Sequence, residues 1–456
     1  MYEKEEQKLN DFKNYLAQIP LPIDQADGAI RQGLEQAKRE KRQLRAKRQR
    51  TFWSLAAAAL VILTVLTTIR VSPTFANAVA SIPGMEKFVE MIQNDKGLTA
   101  IFENDYYQPI GESQTIGHTT MTIDGVVLDE SGMNLFYTIE SPVEIEDVVI
   151  ETPVLKNQQQ ELGSASISYS SPVSEDLSPK IYTDILKYTF ENPINFEDLS
   201  FTLELETILN GNSFDFSIPF VVPENVKPSI IYGINKEVEV EGQKFTIEDI
   251  TVHPLRVGIK ISFDPTNTKK ILQFEDMRLE DDTGEIWSSI SNGISTTGNM
   301  EDGEMLYYLQ SNYFEKPKQL YLRINTMQAV DQEDAYLIVD TEKNVLLHSP
   351  KDGRLTLTKS SRTEVEMTLK VDADKEHAYG IDYQVKDAND ELLDLSSSSM
   401  STSYKNGQNF AIGIVDNGYV NPIKIDLFSY PNYINGDVKI ELQKNSFIQR
   451  ASPHSL

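Results

Sequence analysis

The spacing of large apolar residues changes character twice along the chain. In the first nineteen residues Leu9, Phe12, Leu16 and Ile19 recur at intervals of three, four and three, which places four apolar groups on one helical face. The two prolines of IPLPID, residues 19–24, stop that helix. Asp24 or Asp27 can cap a second one, in which Ile30, Leu34, Ala37 and Leu44 follow a heptad-like path. From Thr51 to Ile69 nineteen residues carry no charge. At ~1.5 Å per residue they span ~28 Å, about one hydrocarbon core, so a transmembrane helix is expected over 51–70. Pro73 then starts a short helix, Pro83-Gly84 breaks it, and Met85, Phe88, Val89 and Ile92 share one face of the next. Asn94 to Gly97 should end that helix, with Gly97 available for a left-handed cap. Beyond it the period becomes two and Thr, Val, Ile, Tyr and Phe become frequent, which is strand composition.

The strand region repeats itself. MTIDGVVLDESGMNLFYTIESP from Met121, FTIEDITVHPLRVGIKISFDP from Phe245 and LTLTKSSRTEVEMTLKVDAD from Leu355 can be superposed as strand, turn, strand. A polar hairpin before an apolar pair recurs as KNQQQEL, EDDTGEIW and KDANDELL, and an aromatic followed by proline recurs as YTFENPINF, YFEKPKQLYL and YVNPIKIDL. From the first landmark to the proline the distances are 72, 72 and 67 residues. A unit of this size, built of short alternating strands and polar turns, has the texture of a β-sandwich. The expected architecture is mainly β: a short cytoplasmic α tail (1–50), one transmembrane helix (51–70), juxtamembrane short helices (71–100), then about three tandem immunoglobulin-like sandwiches at 101–227, 228–345 and 346–456, with direct junctions near Pro228 and Pro350. One long sandwich with insertions is the competing arrangement. The cysteine pair and core tryptophan of antibody domains are missing, so this likeness is one of architecture.

Charge gives the chain a direction. With 42 Lys and Arg against 69 Asp and Glu the 456 residues carry −27, but residues 1–50 hold twelve basic and eight acidic side chains, leaving −31 on the rest. Lys38, Arg39, Lys41, Arg42, Arg45, Lys47, Arg48 and Arg50 crowd directly before the uncharged stretch, and Arg70 is the only charge between Ile69 and Glu86. The positive-inside rule then puts the N-terminus in the cytoplasm and residues 71–456 outside the cell membrane. A cleaved signal peptide is the alternative, given Ala76-Asn77-Ala78, but a fifty-residue n-region argues against it. The basic cluster can also hold anionic headgroups. So acidic an outer region does not suit direct nucleic-acid binding.

Two thin amphipathic helices cannot enclose a core. A cytoplasmic protein, the bilayer surface or a second copy must cover the faces carrying Leu9, Phe12, Leu16, Ile30 and Leu34. Catalytic signals are weak. With no cysteine, thiol catalysis, disulfides and cysteine-based zinc sites fall away. His118, His253, His348, His377 and His454 do not pair at a metal-ligand spacing, the run Ser396–Ser399 lacks a nucleophile elbow, and no glycine-rich phosphate loop precedes a helix. Glu280-Asp281-Asp282 and the acids from Asp331 to Asp334 could attract calcium, but their spacing is not that of a calcium loop and a solvated turn is the simpler reading. No cofactor or metal and no enzymatic activity are expected.

The tail segment IDQADGAIRQGLEQAKREKR, a single span, and then SPTFANAVASIPGMEKFVEMIQNDKGL resemble a Gram-positive single-pass membrane family described as ECF-type sigma factor negative effectors, with a DUF-type extracytoplasmic domain. The resemblance covers roughly residues 20–140 and is most specific from Ser72 to Gly84. It implies that the tail binds an ECF-type sigma factor while the outer β domains sense the envelope. Zinc anti-sigma factors use a His and two Cys; residues 1–50 hold neither type, so binding here would be metal-free and helical. Proteolysis between the span and Gly97 would release the tail irreversibly. The competing expectation is a structural or binding surface protein that the tail and span merely anchor; an enzyme with a site among the acidic loops is a third.

Overall fold

The computed structural model describes residues 3–18, 88–93, 95–158, 160–169, 180–223, 226–288, 295–299, 303–371, 379–403 and 407–443. The chain divides into two units, Met1–Ser72 and Pro73–Leu456. In the first, α1 spans Glu3–Gln18, opened by Glu3, Glu5 and Glu6, whose charges suit the positive end of the helix dipole. The span expected at 51–70, together with Ile30, Leu34 and the eight basic residues, lies outside the described residues. Among those residues no helix is long and apolar enough to cross a membrane.

The second unit is mainly β. It opens with α2 (Val89–Gln93) and α3 (Lys96–Glu103). The turn expected to cap a helix at Gly97 instead starts one. Asp95 Oδ1 accepts the Leu98 N–H at 3.1 Å as an N-cap, and Leu98, Ile101 and Phe102 are buried. The capping carboxylate outweighs the glycine, and the helix runs to Glu103, beyond the residue 101 at which strands were expected.

Among the described residues the strands that follow form six antiparallel sheets, which share three hydrophobic clusters. The first cluster lies between β1 (Gln108–Ile116), β2 (Thr119–Asp129), β3 (Gly132–Glu140), β7 (Ile181–Phe190) and β6 (Ser164–Ser168), in the order β1-β2-β3-β7-β6, and β5 (Gln160–Glu161), β4 (Val148–Asn157), β8 (Ser200–Leu209) and β9 (Asn212–Val221), in the order β5-β4-β8-β9. Period-two alternation sends Met133, Leu135, Tyr137 and Ile139 of β3 into that core. The opposite face of β3 is covered by α3 and the residues that flank the two helices: the Phe136 ring lies 5.4 Å from Phe88, 5.8 Å from Phe102 and 5.2 Å from Tyr107.

The second cluster repeats the plan. One sheet runs β10-β11-β12-β17-β16, from β10 (Ile230–Val240), β11 (Gln243–Val252), β12 (Arg256–Phe263), β16 (Ser295–Asn299) and β17 (Glu304–Gln310). The other is built on β18 (Leu320–Asp331), flanked by β13 (Lys269–Phe274) and β14 (Met277–Asp281), with β15 (Ile286–Trp287) beyond. The third cluster lies between β21 (Leu355–Ser361), β22 (Glu364–Leu369), β25 (Gly407–Ile414) and β24 (Leu395–Ser403), and β20 (Val345–His348), β19 (Tyr336–Asp340), β26 (Ile423–Leu427) and β23 (Ile381–Lys386). Met121, Phe245 and Leu355 fall on the equivalent strands β2, β11 and β21, so the landmarks mark corresponding points.

The final strands depart from a tandem order. In the first group β8 pairs with the strand that follows it, β9. In the second, β18 pairs instead with β27 (Tyr433–Glu441), at the far end of the described chain, and Ile434 and Ile440 enter the second cluster. The strand after β18, β19, pairs with β26 of the third group. The boundary expected at 345/346 therefore does not follow the strand pairing. The 346–456 segment gives up its last described strand, and 228–345 gives up β19. Landmark spacing fixes the period of a repeat, but a short alternating strand satisfies either neighbour. Leu272 and Val330, from β13 and β18, are also part of the third cluster.

Candidate functional site

Two arrangements hold side chains that could act on something else. The first is α1. Spacings of three and four place Leu9, Phe12 and Leu16 in one stripe, and they are 63%, 62% and 51% exposed. No residue of α1 is buried. A sixteen-residue helix is marginal in water on its own, so this stripe is stabilised only when something covers it. Of the five residues expected to bind a partner, these three share a face; Ile30 and Leu34 lie outside the described residues.

The second is the joint between the first and second sheet pairs, where the tip of the β2–β3 hairpin meets that of β11–β12. Asp129, fully buried, uses both oxygens. Its Oδ1 accepts the Ser131 N–H and Oγ–H at 2.7 Å each and the Gly132 N–H at 3.1 Å, while Oδ2 accepts the Leu255 N–H at 2.6 Å. Arg256 reaches back to donate to the Tyr188 carbonyl at 3.2 Å and to Thr189 Oγ1, and its guanidinium carbon lies 5.4 Å from the centre of the Tyr308 ring. Burial pulls the Arg256 guanidinium below its ordinary range, and the Asp129 carboxylate opposes that shift. Glu130 Oε2 accepts Ser229 Oγ–H at 2.7 Å and lies 3.9 Å from His253 Nδ1. The Tyr106 hydroxyl donates to the Leu128 carbonyl at 2.6 Å and accepts the Lys227 N–H at 3.1 Å; burial raises its pKa. Tyr313 Oη–H closes on the Pro228 carbonyl at 2.8 Å, and Lys96 of α3 pairs with Glu285. The arrangement fixes one sheet pair on the other.

The acidic hairpins are taken up locally. Asp281 Oδ1 accepts from Thr283 N (2.8 Å), Thr283 Oγ1 (2.8 Å) and Glu285 N (2.9 Å); desolvation is the largest single influence on its carboxyl and raises it, but these bonds together hold it below the usual range. Asp387 does the same in the third group, taking Val420 N, Asn389 N and Glu391 N. Among the described residues no group of three or more His, Asp or Glu could hold a metal ion. Sequence reasoning did not single out Asp129 and Arg256, since each sits in what reads as an ordinary hairpin turn. Laying MTIDGVVLDESG over FTIEDITVHPLR would have found them, because the aligned turns carry Asp129 in one and Arg256 in the other.

The fold and these sites define a mainly β protein of several sheets with an exposed amphipathic helix near its N-terminus. Residues 46–141 match DUF4179, a domain of unknown function, and residues 229–358 match DUF5643, a family of unknown function. No curated protein matches the chain. Among solved structures it is similar to the crystal structure of the conserved domain protein from Bacillus anthracis, at 15% identity over 53% of this chain and 84% of that one, with a TM-score of 0.37.

Proposed function

We propose that the chain is a single-pass membrane regulator of the anti-sigma type. Its cytoplasmic tail binds an ECF-type sigma factor, and three immunoglobulin-like sandwiches outside the cell sense the envelope. The observation that carries this reading is the exposed Leu9, Phe12 and Leu16 stripe of α1, on the basic side of the uncharged stretch at 51–69. A helix that only anchors a surface protein gains nothing from three large apolar groups in register, whereas helix-in-groove recognition needs them at these intervals. Holding a sigma factor on such a stripe keeps it from RNA polymerase.

The test is affinity capture from host cytosol with the full-length chain in detergent, beside the double variant Phe12→Asp, Leu16→Asp. Recovery of a sigma factor by the parent and not by the variant supports the reading, and the variant should release sigma-dependent transcription in cells. Capture of no sigma factor by either chain sinks it. The second reading, a structural or binding surface protein, is favoured by the joint around Asp129 and Arg256, which suits a stiff stalk. It expects the double variant to leave surface function and transcription unchanged.

A further inference from the structure

The passage of the chain from β18 to β19 leaves a cleft of about 580 Å³ between the second and third sheet groups. That is within the usual size of a small-molecule site, roughly 300–1,000 Å³. Within a region carrying −31, three lysines are among the residues that line it. Lys269 and Lys270 come from β13 and Lys424 from β26; as neighbours on a strand the two β13 lysines leave opposite faces, and Lys270 shares the parity of Leu272, which packs in the third cluster.

Two of the three ammoniums have partners. Lys269 Nζ donates to Asp331 Oδ1 at 2.6 Å. Lys424 Nζ lies 3.6 Å from Asp426 Oδ1 and 5.0 Å from the centre of the Tyr336 ring, which steadies it. Among the described residues Lys270 has no ion-pair partner. An ammonium has three N–H donors, so donors are left over for an anion. The cleft also holds two carboxylates. Asp264 receives the Thr266 hydroxyl at 2.6 Å and amide at 2.8 Å on Oδ1 alone, and those two bonds hold its carboxyl below the usual range. Its Oδ2 has no donor among the described residues, and Asp426 lines the opposite wall. Carboxylates would repel a bare anion but accept hydroxyls, so the two sets of groups together select a ligand that carries both functions.

We infer that this cleft binds a hydroxylated anion, a sugar or polyol bearing a phosphate or a carboxylate, with Lys270 and Lys424 taking the anionic group and Asp264 and Asp426 taking hydroxyls. A ligand seated there touches both sheet groups and ties them together. The inference stands on the cleft alone and not on what the tail binds.

Calorimetric titration of the purified full-length chain in detergent, with glycerol 3-phosphate, glucuronate, inorganic phosphate and glycerol as probes, tests it. Saturable binding of glycerol 3-phosphate or of glucuronate is expected, and which of the two binds identifies the anionic group. Lys270→Glu and Lys424→Glu should each weaken it roughly tenfold, the loss of one charge-assisted bond. Lys180→Glu, on the exposed surface of the first sheet group, should leave it unchanged. Thermal unfolding verifies that the variants fold. Three outcomes overturn the inference: no saturable binding of either hydroxylated anion, binding indifferent to both cleft variants, or inorganic phosphate binding as tightly as glycerol 3-phosphate.

Discussion

Asp129 Oδ2 accepts the Leu255 N–H at 2.6 Å across 126 residues of chain, while the Oδ1 of the same carboxylate closes the turn at Ser131 and Gly132. One side chain thus completes a hairpin and fastens the next sheet pair to it. The geometry orders two substitutions. Asp129→Asn puts an amide donor against N–H groups and leaves the buried Arg256 charge uncompensated, a loss of about 3 kcal/mol or more. Arg256→Met removes the charge itself and keeps most of the volume, so it should cost about 2 kcal/mol or less. The double variant should be more stable than Asp129→Asn alone. Denaturant unfolding of the four chains measures this, and strict additivity would show that the two residues are not coupled.

Gly132 begins β3 under the same joint. A Cβ at this position would fall 2.1 Å from the Tyr188 carbonyl oxygen and 2.7 Å from Arg256 Nη2. Tyr188 is register-paired with Met133 in the sheet, so that carbonyl cannot withdraw without breaking the β3–β7 ladder. Gly132→Ala should destabilise the protein by on the order of 3 kcal/mol, far more than Gly211→Ala at the β8–β9 turn, where a Cβ meets nothing within 4 Å and the cost is that of a positive φ alone. Melting temperatures of the two variants compare them directly.

The third sheet group carries an acid-sensitive clasp. Asp340 Oδ2 accepts Lys343 Nζ at 2.8 Å, and Oδ1 accepts the Lys343 N–H at 3.0 Å and Asn421 Nδ2 at 2.7 Å. The Lys343 ammonium is the largest cause, its amide and Asn421 assist, and the carboxyl is pushed down to about 2. A carboxylate whose pKa is lower in the folded state contributes stability above its unfolded pKa of ~3.9 and loses it as pH falls toward the folded value. Asp340→Asn should therefore be less stable than the parent at pH 7, and the gap should shrink as pH falls from about 4 to about 2. Unfolding curves in that window decide it; a gap that stays constant would mean that Asp340 acts through shape rather than charge.

Much of this was legible in the residues. The 72-residue spacing from Met121 to Pro193 and from Phe245 to Pro317 marks corresponding points of the fold, and the hairpins KNQQQEL and EDDTGEIW are hairpins. The helical periodicity of Leu9, Phe12 and Leu16 reads directly as a stripe. Long-range choices were not legible. Alternation in YLIVD, residues 336–340, says that a strand exists and which face is buried, but not that it joins β26 rather than β18. The turn DKG near Gly97 offered both a helix stop and a helix start, and the outcome was set by the Asp95 cap together with the burial of Leu98, Ile101 and Phe102. The cleft lysines Lys270 and Lys424 are 154 positions apart and become neighbours only through the fold.

The crossing of the final strands gives a sharper test of the architecture than any point substitution. Because β18 pairs with β27 in antiparallel register, Gln328 opposite Tyr433, and the Ala329 N–H donates to the Asn432 carbonyl at 2.9 Å, the segment from Val330 to Pro431, which holds the last two residues of β18 and the strands β19 to β26, is an insertion closed by those two strands. Replacing residues 330–431 with Asn-Gly should make β18 and β27 a direct hairpin, since this dipeptide favours the turn that matches strand twist. The shortened chain should keep the second core, with Ile434 and Ile440 still covering it, and unfold cooperatively. A chain ending at Asn432 should do worse although it loses far fewer residues: β18 gains an open edge, and the second cluster loses Ile434, Ile440 and Leu442. At ~1.5–3 kcal/mol for each large side chain that loses its burial, those three come to about 5–9 kcal/mol, comparable to the whole stability of a domain. Hydrogen exchange at β14 and β18 reads the difference: protection retained in the first chain and lost in the second is expected, and the reverse would restore a simple tandem order.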